Sequence, residues 1–185
     1  MKKSIVELHH YNPEWANEFQ YEKKRITAAL GDKIIGIEHI GSTSIKGLKA
    51  KPIIDILAGV QDLREIHGFV SPLNEIEFEY VPKPEWKDRS FFRKGLWGQG
   101  TCHLHICEFN SKEWEEKLLF RDYLMQHPEA AGDYALIKEE LAEKYKFDRQ
   151  IYTKRKEPFI KGVIEKAKRE ITLFKNDGRE SYERE

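Results

Sequence analysis

The sequence runs to 185 residues, 39% hydrophobic and 35% charged, which suits one globular domain with a helical extension and is too rich in apolar and aromatic residues for a disordered chain. Lys plus Arg and Asp plus Glu are 32 each, so the formal net charge is zero; there is no global basic field of the kind that non-specific nucleic-acid binding needs, and any anion site has to be local. Cys102 and Cys107 are too few for a disulfide scaffold and lack zinc-knuckle spacing, and no apolar run approaches a signal-peptide core or a membrane span, so the expectation is a cytoplasmic protein without a membrane partner.

Ile5 to Leu8 reads as a short first strand. Asn12-Pro13 then signals a helix start, with Trp15, Phe19, Ile26 and Leu30 at helical spacing and Gly31 as the stop. Ile34 to Ile40 is β-rich and runs into Gly41-Ser42-Thr43-Ser44, while Pro52 to Val60 is an apolar run interrupted by one charge, Asp55. Asp62 to Leu73 reads as a helix and Phe78 to Val81 as a strand, followed by a corner at Pro82 and Pro84. Arg89 to Lys94 and Cys102 to Phe109 form an antiparallel pair around the glycine-rich Gly95-Leu96-Trp97-Gly98-Gln99-Gly100 tip. Beyond Ser111, a cap, the pattern is helical: one helix from Trp114 to His127-Pro128, a second through Tyr134, Ile137 and Leu141, and a last one marked by Phe159, Val163, Ala167, Ile171 and Phe174. The division is a single domain over 1–175, sheet-rich over 1–110 and helical over 111–175, with 176–185 as a flexible polar tail.

The segment from Glu38 to Leu57 is small, hydroxylated and basic between two apolar strands. Gly41 permits close backbone approach, and Ser42, Thr43 and Ser44 offer hydroxyls and N–H groups, an arrangement that suits phosphate. The same G-S-T-S also fits a turn whose hydroxyls satisfy its own backbone. Asp55 in the middle of Ile53-Ile54-Asp55-Ile56-Leu57 is costly to bury unless it meets a cation, hydrogen bonds or a metal ion such as Mg²⁺. An ion pair with Lys49 or Lys51 is the structural alternative.

Gly41-Ser42-Thr43-Ser44, then Gly47-Leu48, Ala50-Lys51-Pro52 and Ile53-Ile54-Asp55-Ile56, resembles the signature of the GrpB family within the nucleotidyltransferase superfamily. The likeness continues through His103-Leu104-His105, Trp114, Phe120-Arg121-Asp122-Tyr123-Leu124, His127-Pro128, Tyr152, Lys156 and Phe159-Ile160. The resemblance implies a nucleotidyltransferase-like α/β (α+β) fold, a mixed sheet backed by helices with a helical C-terminal part. It also implies a glycine-serine turn on nucleotide phosphates and strand carboxylates on divalent metal, Mg²⁺ or Mn²⁺. The superfamily places a second acidic residue two positions after the first, where this chain has Leu57, and the family commonly has proline where this chain has Lys46.

His103 and His105 lie two apart on one strand, so both imidazoles face the same side and can ligate metal with Asp55 or exchange protons. Glu38 and His39 are weaker candidates of the same sort. Tyr152 and Lys156 match the family pattern one helical turn apart; folded over the sheet, the lysine would take phosphate charge and the tyrosine a ribose or base. The expected site is therefore Asp55, His105 and Lys156 as catalytic groups, Gly41, Ser42, Thr43, Ser44, Lys51, Tyr152 and Lys156 on the nucleotide, and Asp55, His103 and His105 on the metal. The expected ligand is a nucleoside triphosphate or another phosphate-bearing small molecule, either for nucleotidyl transfer or in a non-catalytic accessory module of the kind joined to dephospho-CoA kinase.

Overall fold

The structure, a computed structural model, describes residues 5–96 and 99–180. Helix α1 (Glu14–Leu30) starts where Asn12 and Pro13 predict: Asn12 Oδ1 accepts the Glu14 N–H at 3.1 Å, and Trp15, Phe19, Ile26 and Leu30 turn one stripe inward. The chain continues as β1 (Ile34–Ile40), a 3₁₀ turn at Ser42–Ser44, β2 (Ile54–Val60), α2 (Ile66–Glu75), the two-residue β3 (Glu79–Tyr80), β4 (Arg89–Leu96) and β5 (Gln99–Glu108). Three helices close it: α3 (Lys112–Gln126), α4 (Pro128–Lys144) and α5 (Arg149–Glu180).

The five strands form one mixed sheet in the order β1-β2-β5-β4-β3, with β2 and β5 parallel and the other neighbours antiparallel. Alternation along β2 and β5 sends Ile54, Ile56, Ala58, Cys102, Leu104 and Ile106 into a core with α1 and α2, and sends Asp55, Leu57, His103, His105 and Cys107 to the opposite face. On that second face Trp114 of α3 covers Ile40, Leu57 and Cys107. The bundle of α3, α4 and α5 has its own core of Phe120, Leu124, Tyr134, Val163 and Ile164, into which Ile45 and Leu48 insert. The turn after β1 is thereby pinned between sheet and helices.

Two expectations change. Ile5 to Leu8 is not a sheet strand: the Val6 N–H donates to Lys146 O at 2.8 Å, and His9, just beyond, forms an isolated bridge with Ala50. The last helix runs from Arg149 straight through Pro158, which lies on its exposed side, where the missing N–H and the displaced carbonyl face water. α5 also continues to Glu180, through the first half of the segment expected as a polar tail; 181–185 lie outside the described residues, as do Trp97 and Gly98 of the hairpin tip. Among the described residues no helix is long and apolar enough to cross a membrane.

Candidate functional site

Gly41 leaves β1 with φ 73° and ψ −173°, a conformation open to glycine and to few other residues. A Cβ there would run into the Asp55 carboxylate, and would also lie 3.0 Å from Asp55 Cβ. The tight turn and the strand carboxylate are thus one packed unit. Within the turn the three hydroxyls divide. Ser44 Oγ donates to Gly41 O at 2.6 Å, and Thr43, buried, donates to Ile53 O at 3.3 Å. Both satisfy the turn itself. Ser42 Oγ instead accepts from Lys138 Nζ at 3.1 Å, and Lys138 also donates to Lys49 O.

The parallel register of β2 and β5 sets Asp55 directly opposite His103. Asp55 Oδ1 lies 3.0 Å from His103 Nδ1, with side chains 29% and 20% exposed, so the pair is reachable from solvent. Burial raises the Asp55 pKa, but the His103 hydrogen bond, with the charges of His103, His105 and Lys51, outweighs it and holds the carboxyl down to about 2. An ionised carboxylate only accepts, so His103 carries its proton on Nδ1 and leaves Nε2 as the acceptor, toward which Arg149 donates at 3.5 Å. Lys49, offered as an ion-pair partner for Asp55, pairs with Glu139 at 2.6 Å instead.

Helix α5 carries Arg149, Tyr152 and Lys156 on one face, spaced three and four residues apart. Tyr152 is 1% exposed, so it does not present a surface to a base or ribose; it lies under two ammonium groups, Lys51 at 5.1 Å and Lys156 at 4.6 Å from its ring centroid. Burial, with the Arg149 and Lys156 charges beside it, pushes the Lys51 ammonium down to about 7. Burial likewise pushes Lys156 down to about 8 against the pull of Asp55, and Lys138 down to about 7. Gly41, Ser42, Asp55, Lys51, His103, Tyr152 and Lys156 therefore converge.

His105 is not part of that contact. It packs against Phe91 and Trp86, with ring centroids 5.2 and 6.2 Å away; its Nδ1 is buried without a partner, and burial pushes its pKa down to about 3. His39 and Glu38 are structural. His39 stacks on Phe19 at 4.7 Å and meets Thr43 Oγ1 at 3.0 Å; since the single Thr43 proton goes to Ile53 O, His39 donates from Nε2. Glu38 pairs with Arg121 at 2.6 Å. Cys102 and Cys107 are buried on opposite faces of β5, as their odd separation predicts.

A divalent ion needs several oxygen donors in one place. Asp55 Oδ1 is taken by His103, the second acidic position is Leu57, fully buried under Trp114, and among the described residues no three His, Cys, Asp or Glu side chains converge to hold a metal. The donor set does not fit a two-metal centre. What converges is cationic.

The sequence alone does not single out Lys138 or Arg149 from the other basic residues. Lys138 carried a signal: it sits four residues after Tyr134 on the buried stripe of α4, a position where an unpaired lysine is rare. Arg149 stands in a run of basic residues at the start of the last helix, and it is the helix's course over the sheet that puts it beside His103.

The chain has relatives among known proteins. The chain is 40% identical over 169 residues to the UPF0157 protein YqkA of Bacillus subtilis (strain 168), which covers 90% of this chain and 48% of that one. It is 33% identical over 168 residues to the glutamate-rich protein GrpB of Alkalihalophilus pseudofirmus, covering 89% and 97% respectively. This chain thus spans about half the length of the first relative and nearly all of the second. The crystal structure of conserved protein GrpB from Enterococcus faecalis matches with a TM-score of 0.83 at 32% identity, over 89% of this chain and 99% of that one. The family described as GrpB protein matches residues 5–166, and the chain belongs to that family.

Proposed function

We propose that this protein binds the phosphate groups of a nucleotide or related phosphate-bearing small molecule where the Gly41-Ser42 turn, Asp55 and the Lys51 and Lys156 side chains come together beside helix α5. The observation that carries the reading is the pair Lys51 and Lys156, both over the buried Tyr152 ring beside the single carboxylate Asp55, with Arg149 adjoining. Ammonium groups that are partly withdrawn from water are costly unless compensated, and here cations outnumber the acid they surround. A bound polyphosphate supplies the missing negative charge and accepts their hydrogen bonds. The Gly41-Ser42 backbone and the Ser42 hydroxyl, held by Lys138, complete the cradle.

The test is thermal unfolding with nucleoside triphosphates, inorganic tripolyphosphate and coenzyme A, each with EDTA, Mg²⁺ or Mn²⁺. A ligand at about a hundred times its Kd adds roughly 2.7 kcal/mol. A shift that persists in EDTA and is lost in Lys51→Met/Lys156→Met supports the cationic site. No shift with any polyphosphate refutes it.

A second reading, nucleotidyl transfer, is favoured by the Asp55–His103 pair, whose Nε2 is an acceptor beside Arg149. An acceptor hydroxyl would attack the α-phosphorus, its proton passing to His103 Nε2 as the new O–P bond forms and the bond to the pyrophosphate leaving group breaks. Pyrophosphate release lost in His103→Gln, with binding retained, separates turnover from the inert accessory module.

A further inference from the structure

A cleft of about 570 Å³ runs from His103, the partner of Asp55, along the β4–β5 hairpin, walled on the far side by the first two turns of α5. Its volume is in the range of small-ligand sites. Arg149 and Lys154 bring positive charge to the side of α5, with His103 offering its Nε2. Trp86, Phe91 and Leu96 form an aromatic and apolar wall, beside which Lys83 and Arg93 also line the cleft, and Leu96 is 75% exposed. Trp86 is held there by a tight turn, its N–H donating to Lys83 O at 2.9 Å, and by Arg89 stacked on its ring at 4.0 Å. Phe91 stands edge-on to His103 at 5.2 Å, so the aromatic wall adjoins the residue that Asp55 orients.

We infer that this cleft is a nucleobase subsite, in which a flat aromatic base lies against Trp86 and Phe91 while the phosphates attached to it occupy the Lys51–Lys156–Arg149 pocket. The inference rests on the phosphate reading above and goes beyond it by naming what the phosphate is joined to. A sugar phosphate or free polyphosphate would leave the apolar wall wet, whereas a base both covers it and gains stacking, which is tolerant of base identity because every base has a π-face. Polar side chains at the α5 wall, Gln150, Thr153 and Glu157, stand where a base edge needs donors and acceptors. The buried Tyr152, the other aromatic group near the phosphates, has no free face for this role.

The experiment is calorimetric titration of the full chain with the four common nucleoside triphosphates and with inorganic tripolyphosphate, for wild type, Trp86→Ala and Leu96→Lys. The base should tighten wild-type binding by about ten- to a hundredfold over tripolyphosphate. Trp86→Ala should lose most of that gain while tripolyphosphate affinity is unchanged, and Leu96→Lys, at an exposed position that does not hold the fold, should lose part of it. Equal wild-type affinity for tripolyphosphate and every nucleotide overturns the subsite while leaving the phosphate site standing. So does an equal loss of both ligands in Trp86→Ala together with no loss in Leu96→Lys. Binding of neither ligand overturns the phosphate reading and the subsite with it.

Discussion

Gly41→Ala and Gly47→Ala form a matched pair that isolates the contact between the turn and Asp55. Both glycines have positive φ, 73° and 83°, so an alanine at either is strained by its backbone, by about 1–2 kcal/mol. A Cβ at Gly47 meets nothing within 4 Å, so its cost ends there. A Cβ at Gly41 meets the Asp55 carboxylate, with Asp55 Cβ at 3.0 Å and Cγ at 3.1 Å. The carboxylate cannot swing aside without leaving His103, and Asp55 Cβ moves only with strand β2. Overpacking of this kind adds about 1–3 kcal/mol. The expected excess of Gly41→Ala over Gly47→Ala is thus about 2 kcal/mol, read in a chain of this size as about 4–8 °C of extra loss in melting temperature. Differential scanning calorimetry measures the stability difference, and titration with tripolyphosphate should show weakened binding in Gly41→Ala alone. Variants that melt within 1 °C of each other and bind alike would refute the reasoning that the glycine exists for Asp55.

Between pH 6.5 and 8.5 the urea midpoint should rise. Lys51, Lys138 and Lys156 have folded pKa values of about 7, 7 and 8 against 10.5 unfolded, so the unfolded chain holds more protons in that window. Each lysine contributes at most about 1.4 kcal/mol per pH unit; a falling midpoint would contradict their burial. The same lysines must be charged to hold an anion, so binding of tripolyphosphate at pH 8 should take up protons, seen as a calorimetric enthalpy that changes with the ionisation enthalpy of the buffer. A buffer-independent enthalpy would place the anion elsewhere. On the acid side His39 and His105 fall from 6.5 to about 4 and about 3 through burial, so their contribution is complete above 6.5 and is lost as pH falls through those values. His39→Gln should flatten the loss between pH 6.5 and 4, and an unchanged slope would show that His39 titrates normally.

How much of this was legible in the sequence depends on range. Local signals carried far: Asn12-Pro13, the Ser111 cap, whose Oγ accepts from Trp114 N at 3.3 Å, and the period-two alternation of β2 and β5 all led to the right elements. The Gly41–Asp55 unit and the shared face of His103 and Asp55 were also visible, because a family pattern and strand periodicity both point to them. Roles were harder to read. Whether Ser44 faces a ligand or its own turn is decided by a hydroxyl rotor, and whether Tyr152 faces a base or a pair of lysines is decided by how α5 crosses the sheet.

Leu57 joins the fold to the chemistry. Outward positions on β2 are Asp55, Leu57 and Gly59, and the structure treats them differently. Only Asp55 opens toward α5; Leu57 lies under Trp114 with Ile40 and Cys107, and Gly59 meets the Phe109 and Trp114 rings, where a Cβ would come within 2.8 Å of Phe109 Cδ2. Helix α3 therefore seals the strand immediately beyond Asp55, and a carboxylate at position 57 would be packed against Ile40, Cys107 and the Trp114 ring, with Glu38, already paired to Arg121, and His105 as its cross-strand neighbours. Leu57→Asp should lose the leucine packing, about 2–5 kcal/mol, and in addition bury a charge at a cost of several kcal/mol more. Unfolding or insolubility is the expected outcome, and a folded variant that gains stoichiometric Mn²⁺ would show that the second position is open to a metal after all. With that position closed, the charge of the proposed polyphosphate would have to be met by side chains. Lys51, Lys156 and Arg149 gather near Asp55, and burial together with the neighbouring cations holds the Lys51 and Lys156 ammonium groups down to about 7 and about 8, which is the surplus of positive charge an anion would relieve.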